Sequence, residues 1–494
     1  MRPSSYANFR SSSAASDTSA HRKVESQMPL VFHTFFTPWG YYAFDTSTNS
    51  LIVLNELDYC KMHEVEHGSL SEETEIIKDY QSRGFFRELA IEEIRHPEDE
   101  YLESFISRKQ EMITLQVTQR CNLRCSYCVY SGDYHNREHT SKDMSFEVAT
   151  KALDFAFTKS NASQRLSVSF YGGEPLIMFD LICNCVEYIE KQYSGRKYSF
   201  SITTNGTLLT KEIYSYLKEK DFNILVSIDG PKAIHDQNRK LRNGDGSFDR
   251  IISNLEDVES IDPESVNRIG ISSVIGSNHD DSCNEQFFSI KEFNRFNSIS
   301  VAFLSDLYID EPHEYTEALI AAYTIEVCKL LLFLVGKISK THVSKSLQSL
   351  AELYNREYRR IKRIEQFPKV VHPSGPCIPG AARLFVNIHG ELFPCEKISE
   401  LSQPMKLGTL DAGIDISKAR KLLNPGKLIT DHCKKCWMIL HCTNCAAHYD
   451  TLTELSAARV LPRCESNQRQ YEVMLKTLCF LKKHEYEFMP IKFY

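Results

Sequence analysis

No apolar run in the 494 residues reaches the roughly 20 that a membrane span needs. The longest, Ile325 to Gly336, contains Glu326 and Lys329 and reads as part of a core helix that begins near Ala318. An export signal is also missing. The start, MRPSSYANFRSSSAASDTSAHRK, is polar and Ser/Ala-rich and has no apolar h-region. Positive charge is lacking in bulk: 58 basic against 65 acidic residues give a net charge of −7. That excludes a general attraction to nucleic acid or to an anionic membrane. No internal repeat is present beyond an alternation of strand and helix patterns. What remains is a globular composition, 42% apolar and 25% charged, with length for two to four domains.

Cysteine, by contrast, is abundant. The chain has 16, clustered at gaps of two, three and five residues. Such spacing suits metal clusters better than a disulfide framework. We therefore expect a cytoplasmic location, where thiolates and oxygen-sensitive clusters survive, with no nucleic-acid and no membrane partner.

The texture divides the chain. Residues 1–28 offer almost nothing to bury and read as a disordered tail. Residues 29–94 read as a small α+β module. It has aromatic strands in LVFHTFF and YYAFDT, then SLIVLNE, then a polar helix over about 71–87. A linker follows. Between 110 and 310, strand-like runs fall at 113–117, 166–171, 198–203, 223–228, 269–275 and 299–304. Helical runs separate them at 145–159, 176–192, 210–219, 248–259 and 284–295. The alternation implies an α/β fold with a parallel sheet and right-handed crossovers. Six β/α units make a partial (β/α)6 TIM-like barrel, open at the side, where a full barrel has eight. Residues 311–370 read as a helical bridge. Residues 371–480 are Cys-rich and punctuated by Gly and Pro, with little secondary structure.

Several groups stand at the strand ends. Cys121, Cys125 and Cys128 follow the first core strand with CxxxCxxC spacing. Three thiolates on one short loop can hold three irons of a [4Fe-4S] cube and leave the fourth open. A zinc site or incidental cysteines are the alternatives. Gly172-Gly173-Glu174-Pro175 follows the second strand and Thr203-Thr204-Asn205-Gly206-Thr207 the third. Ser227-Ile228-Asp229-Gly230-Pro231 follows the fourth, with His235, Asp236 and Arg239 after it. Singly these read as turns or surface charges. Together they line the face where β/α barrels place their sites. Downstream come Cys377, Gly390 and Cys395, then Cys433, Cys436, Cys442, Cys445 and Cys464. Paired zinc knuckles are the alternative there.

CxxxCx(aromatic)C after a first barrel strand resembles the radical S-adenosylmethionine (SAM) superfamily. The resemblance implies an open iron that chelates the amino and carboxylate groups of the cofactor, and one-electron cleavage to a 5′-deoxyadenosyl radical. It implies that Gly172, Gly173 and Glu174 meet the cofactor's amino group. Ser227 and Arg239 would contact its carboxylate and ribose, and Tyr127 and Asn205 complete the expected set. The downstream cysteines resemble the SPASM domain, which carries auxiliary [4Fe-4S] clusters. By position, Cys433, Cys436, Cys442 and Cys464 would close one cluster. Cys377, Cys395 and Cys445 would hold a second with three protein ligands. Cys442-x2-Cys445 is one residue shorter than the SPASM pattern, which loosens the assignment of Cys445. The 48 residues between Cys328 and Cys377 hold no cysteine, so the fourth iron would be open to a substrate thiolate or met by His372. Cys60, Cys183, Cys185, Cys283, Cys328 and Cys479 lack cluster spacing and are expected to pack as small hydrophobes.

The combined resemblance implies an oxidoreductase that modifies a peptide or protein. The leading expectation is a maturase that crosslinks a ribosomally made peptide, with a thioether as product. A carbon–carbon crosslink and formylglycine formation by a sulfatase-maturing enzyme are the alternatives. A cluster-bearing scaffold with a dead radical core is the reading from outside the enzyme class. The N-terminal module weakly resembles winged-helix domains that bind a leader peptide as an added edge strand; a cap over the barrel is the other reading. An electron donor such as flavodoxin or ferredoxin is implied. The catalytic base is unidentified. Asp229, Asp236 and Tyr171 stand nearest the strand ends.

Overall fold

The computed structural model describes residues 30–129, 134, 139–276, 295–296, 298–309 and 311–488. The tail 1–28, Cys283 and nearly all of the helix expected over 284–295 lie outside the described residues.

Three antiparallel strands open the fold: β1 (Phe32–Thr37), β2 (Gly40–Asp45) and β3 (Ser50–Leu54). The β2–β3 turn is held by Asp45, whose carboxylate accepts from Ser47 N, Thr48 Oγ1 and Phe86 N. Two helices follow, Glu56–Glu66 and Glu75–Ser82. The second lies inside the expected stretch. The first was not expected, because only Met62 and Val65 on it are buried and its apolar stripe is thin. One face of the meander, with Phe32, Ala43 and Ile52, packs on these helices. The other, with Phe35, Tyr42 and Phe44, packs on Trp437, Ile439 and Tyr471 of the Cys-rich region. The meander's second buried face is thus spent on the cysteine-rich loop.

β4 (Glu93–Ile94) leads to the central strands β5 (Met112–Thr118), β6 (Leu123–Cys125), β7 (Leu166–Gly172), β8 (Tyr198–Thr204), β9 (Phe222–Ser227), β10 (Arg239–Leu241), β11 (Ile269–Ile275) and β12 (Ser298–Phe303). Six of them run parallel in the order β12-β11-β9-β8-β7-β5. These are the six expected strands. Helices Phe146–Thr158, Phe179–Gln192, Lys211–Glu219 and Phe248–Ile261 connect them. The side chains of Ser145 and Thr210 cap two of these helices by accepting from Val148 N and Ile213 N.

The strands alternate more than a parallel sheet buried on both faces normally does. On β7, Leu166, Val168 and Phe170 are buried, while Ser167, Ser169 and Tyr171 are half-buried. On β8, Phe200 and Ile202 are buried between Ser199, Ser201 and Thr203. One face therefore packs on helices and the other is lined by small polar side chains. That second face leaves room for a ligand.

Beyond the central strands come helices Glu317–Leu334 and Gln348–Arg360, then β13 (Val370–Val371), which pairs with β4. β14 (Leu384–Val386) adds in parallel to the free edge of β5. β15 (Glu391–Phe393), β16 (Gly408–Thr409) and β17 (Gly413–Ile414) extend it antiparallel into a ten-stranded sheet. The Cys-rich region therefore continues the central sheet, contrary to the expectation of little regular structure there. It also ends in a long helix, Ala457–Lys483. None of the described helices is long and apolar enough to cross a membrane.

Candidate functional site

The CxxxCxxC loop leaves β5 and is fastened at several points. β6 pairs antiparallel with β10, which sets Cys125 opposite Arg239. Ser126 donates from N to Asn238 O at 3.0 Å and from Oγ to Asn238 Oδ1 at 2.9 Å. Asn205 Nδ2 donates to Asn122 Oδ1 at 2.8 Å and reaches Cys121 Sγ at 3.8 Å. Two glycines allow the next loop to lie against this one. A Cβ on Gly172 would stand 2.2 Å from Thr118 O, and one on Gly173 would stand 2.1 Å from Arg120 O. Backbone packing on the cysteine loop therefore requires glycine at both positions. Burial pushes the Cys121 and Cys125 thiols up to about 12. A bound metal is what would deprotonate them.

Glu174 departs from its expected role. Its side chain is fully buried and accepts from Leu176 N and Thr204 Oγ1 on one oxygen and from Asn205 N on the other. It ties the end of β7 to the end of β8 and does not present a free carboxylate to an amine. Asn205 is thereby placed beside Cys121.

Around β9 and β10 the polar groups interlock. Asp229, fully buried, accepts from Arg239 Nε at 2.8 Å, from the Tyr127 hydroxyl and from Val274 N at 3.0 Å. His235 is buried too. Its Nδ1 accepts from Asp229 N at 3.3 Å and its Nε2 pairs with Ser247 Oγ, which in turn donates to Arg239 O. Burial, with Arg239 next, lowers the imidazole to about 4, so it stays neutral. The Arg239 terminal nitrogens have no protein partner among the described residues, and neither does the half-buried Ser227 hydroxyl. A buried guanidinium with spare donors suits a carboxylate. On these observations Cys121, Cys125 and Cys128 fit a cluster, and Arg239 with Ser227 fits the acidic end of SAM.

The base candidates fare differently. Asp236 accepts from Phe248 N and caps the helix Phe248–Ile261. Asp229 is committed to Arg239, and Tyr171 packs edge-on to Phe385 at 6.5 Å.

The downstream cysteines form two groups. Cys433, Cys436, Cys442 and Cys464 line one small pocket with Ile439, Asn444 and Tyr449. Asn444 Nδ2 reaches Cys464 Sγ at 3.7 Å and Gln468 Nε2 reaches Cys436 Sγ at 3.5 Å. These amide donors were missed in the sequence, where an Asn or Gln beside a ligating Cys was the available signal. Burial raises the Cys445 thiol, with Cys377 adding to it, and burial raises Cys395 to about 12, with Cys445 among the lesser causes. Cys377 is exposed, and Cys395 and Cys445 are half-buried. His372 is not available to them, because its Nδ1 pairs with Pro373 O at 2.8 Å and its Nε2 accepts from Gly426 N at 3.0 Å.

Among the described residues no three cysteine sulfurs lie within 4.8 Å of one another. Of the remaining cysteines, Cys185 and Cys479 are buried as expected, but Cys60 and Cys328 are exposed.

Residues 115–276 match the Radical SAM superfamily. A cysteine-type anaerobic sulfatase-maturating enzyme of Clostridium novyi is 34% identical over 149 residues, 29% of this chain and 39% of that one. The radical SAM cyclopropyl synthase TigE of Paramaledivibacter caminithermalis is 26% identical over 260 residues, 49% of this chain and 53% of that one. The matched stretches thus span about two-fifths to one-half of these curated relatives. The solved structure of native anSMEcpe with bound AdoMet shares the fold, with a TM-score of 0.55 at 22% identity, over 74% of this chain and 98% of that one. With its partial barrel and its thiol loop at the end of β5, the chain carries a radical SAM domain, of the family that works with a [4Fe-4S] cluster and SAM.

Proposed function

We propose that this chain is a radical SAM peptide maturase that crosslinks a ribosomally made peptide, with a thioether as the product. Cys121, Cys125 and Cys128 would hold the initiating cluster, whose chemistry with SAM is hydrogen-atom abstraction from the substrate. Arg239 and Ser227 bind the acidic end of SAM, and the Tyr127–Asp229–Arg239 group keeps that guanidinium in place. Cys433, Cys436, Cys442 and Cys464 hold one auxiliary cluster; Cys377, Cys395 and Cys445 hold the other. An electron donor of the flavodoxin or ferredoxin class reduces the chain, in the cytoplasm.

The observation that carries this reading is the N-terminal meander. Residues 51–54 of β3 have no backbone partner on their outer side among the described residues, and Val53 is 74% exposed. An extended leader peptide can add there as a fourth strand. The same meander packs on Trp437, the residue after Cys436, so a bound leader would sit beside an auxiliary cluster.

Formylglycine formation is the second reading. It is favoured by two relatives of that class, the Clostridium novyi enzyme and a serine-type enzyme of Bacteroides thetaiotaomicron. One assay separates them. Anaerobically reconstituted chain receives SAM, a reductant and candidate peptides, and 5′-deoxyadenosine and peptide mass are followed. Loss of two hydrogens together with loss of a cysteine's reaction with iodoacetamide supports a thioether. Exchange of sulfur for oxygen supports formylglycine. Absence of 5′-deoxyadenosine sinks both.

A further inference from the structure

We propose that His63, His67 and Glu66 form a binding site for a late first-row divalent cation such as Zn²⁺, separate from the cysteine sites. Among the described residues this is the one group of three or more His, Cys, Asp or Glu side chains whose ligand atoms all lie within 4.8 Å of one another. It stands at the C-terminal end of the helix Glu56–Glu66, where His63 and His67, four residues apart, share a face. Their rings are 4.1 Å apart. A cation is favoured there by the helix dipole.

The hydrogen bonds fix which ring nitrogens are free. The Thr34 hydroxyl donates to the Glu66 carboxylate, since the carboxylate cannot donate. The same hydroxyl oxygen, 2.9 Å from His63 Nδ1, must then accept from that nitrogen. His63 Nε2 is left with its lone pair. His67 Nδ1 lies 2.9 Å from the His63 carbonyl, which only accepts, so His67 Nε2 also carries a lone pair. An imidazole that donates its other N–H to a carbonyl or hydroxyl is oriented as a metal ligand. Both histidines are exposed, so the two lone pairs are open to solvent.

Glu66 supplies the carboxylate. It already accepts from Thr34 N at 2.9 Å and from His33 Nδ1 at 2.7 Å, which leaves lone pairs on its oxygens. Two imidazoles and a carboxylate, with water in the fourth position, are a zinc ligand set. A Ca²⁺ or Mg²⁺ ion would call for oxygen ligands instead.

The test uses the full chain with its clusters loaded. Zn²⁺ is titrated calorimetrically into wild type, His67→Ala and the double variant His63→Ala/His67→Ala, and bound zinc is counted after desalting. His67 is exposed and follows the last residue of its helix, so its replacement by Ala is expected to leave the fold intact. Wild type is expected to take one more equivalent than the double variant, and His67→Ala to weaken that site tenfold or more. Zinc X-ray absorption of wild type is expected to show nitrogen and oxygen neighbours with imidazole scattering. Equal stoichiometry and affinity in all three proteins, or sulfur around the extra zinc, would overturn the assignment.

Discussion

Cys125 and Arg239 face one another in the short ladder between β6 and β10, so the loop that would carry the cluster and the guanidinium that would bind SAM are one hydrogen-bonded unit. Arg239 is in turn paired with Asp229, which has no exposure to water. Replacing Arg239 by Ala leaves that carboxylate buried and unpaired, at a cost of about 3–5 kcal/mol. Arg239→Lys keeps a charge but loses the fork, and SAM binding is expected to fall about tenfold, or about 1.4 kcal/mol. Urea unfolding and equilibrium dialysis with SAM measure the two effects. An Arg239→Ala variant that is as stable as wild type would show that Asp229 finds another partner.

Glu174 gives a pH dependence. Burial pushes its carboxyl up to about 6, against the hydrogen bonds from Asn205, Thr204 and Leu176 that lower it. The folded chain then binds a proton where the unfolded chain, near 4.5, has lost it. Its contribution to stability therefore falls as pH rises from about 4.5 to 6, by roughly 2 kcal/mol in all. Glu174→Gln removes that slope. Chemical unfolding of the two proteins at steps from pH 4.5 to 7 should give a difference that varies with pH, and a constant difference refutes the assignment.

His33 should act with the same sign, but at higher pH. Burial lowers its pKa, but hydrogen bonds and charges from Glu66 and Glu472 outweigh this and raise it above 6.5. The stabilisation is then complete below about pH 6.5 and lost as pH rises through the folded value. His33 also stacks on Trp437 at 4.4 Å. His33→Gln is expected to cost most near pH 6 and progressively less above pH 6.5, measured by thermal melts in chelator-treated buffer. A cost that grows with pH would reverse the reading.

Iron counts test the auxiliary sites. Three cubes correspond to about 12 irons per chain. Cys433→Ala should lose about four and leave 5′-deoxyadenosine formation in place, because the CxxxCxxC loop is untouched. Cys121→Ala should lose about four and abolish it. Mössbauer spectra of reconstituted protein make the comparison, and zinc in place of iron at Cys433 would refute the cluster assignment.

Much of this was legible in the sequence. The six parallel strands could be read because Leu166, Val168 and Phe170, like their counterparts, alternate with small polar residues between turn signals. The site motifs could be read because each follows such a strand. The inward turn of Glu174 could not, because its partners Thr204 and Asn205 come from the next strand and only the sheet brings them together. The β6–β10 ladder is three residues long on each side, too short for any pattern. The last helix left a trace at Val460, Cys464, Asn467, Tyr471, Leu475 and Leu478, which are buried at helical spacing. A cysteine and an asparagine among them broke the apolar period. The pairing of β14 with β5 joins segments far apart in the chain, and nothing local announces it.

That last pairing limits how the protein can be cut and recombined. β5, the strand that launches the cysteine loop, is hydrogen-bonded to β7 on one side and to β14 on the other. A fragment ending where the superfamily match ends, at residue 276, would leave one edge of its first strand bare. Such an edge pairs with whatever backbone it meets. The radical domain is therefore not a portable cassette: grafting it onto a new recognition module means bringing β14 along, or supplying another strand in its place.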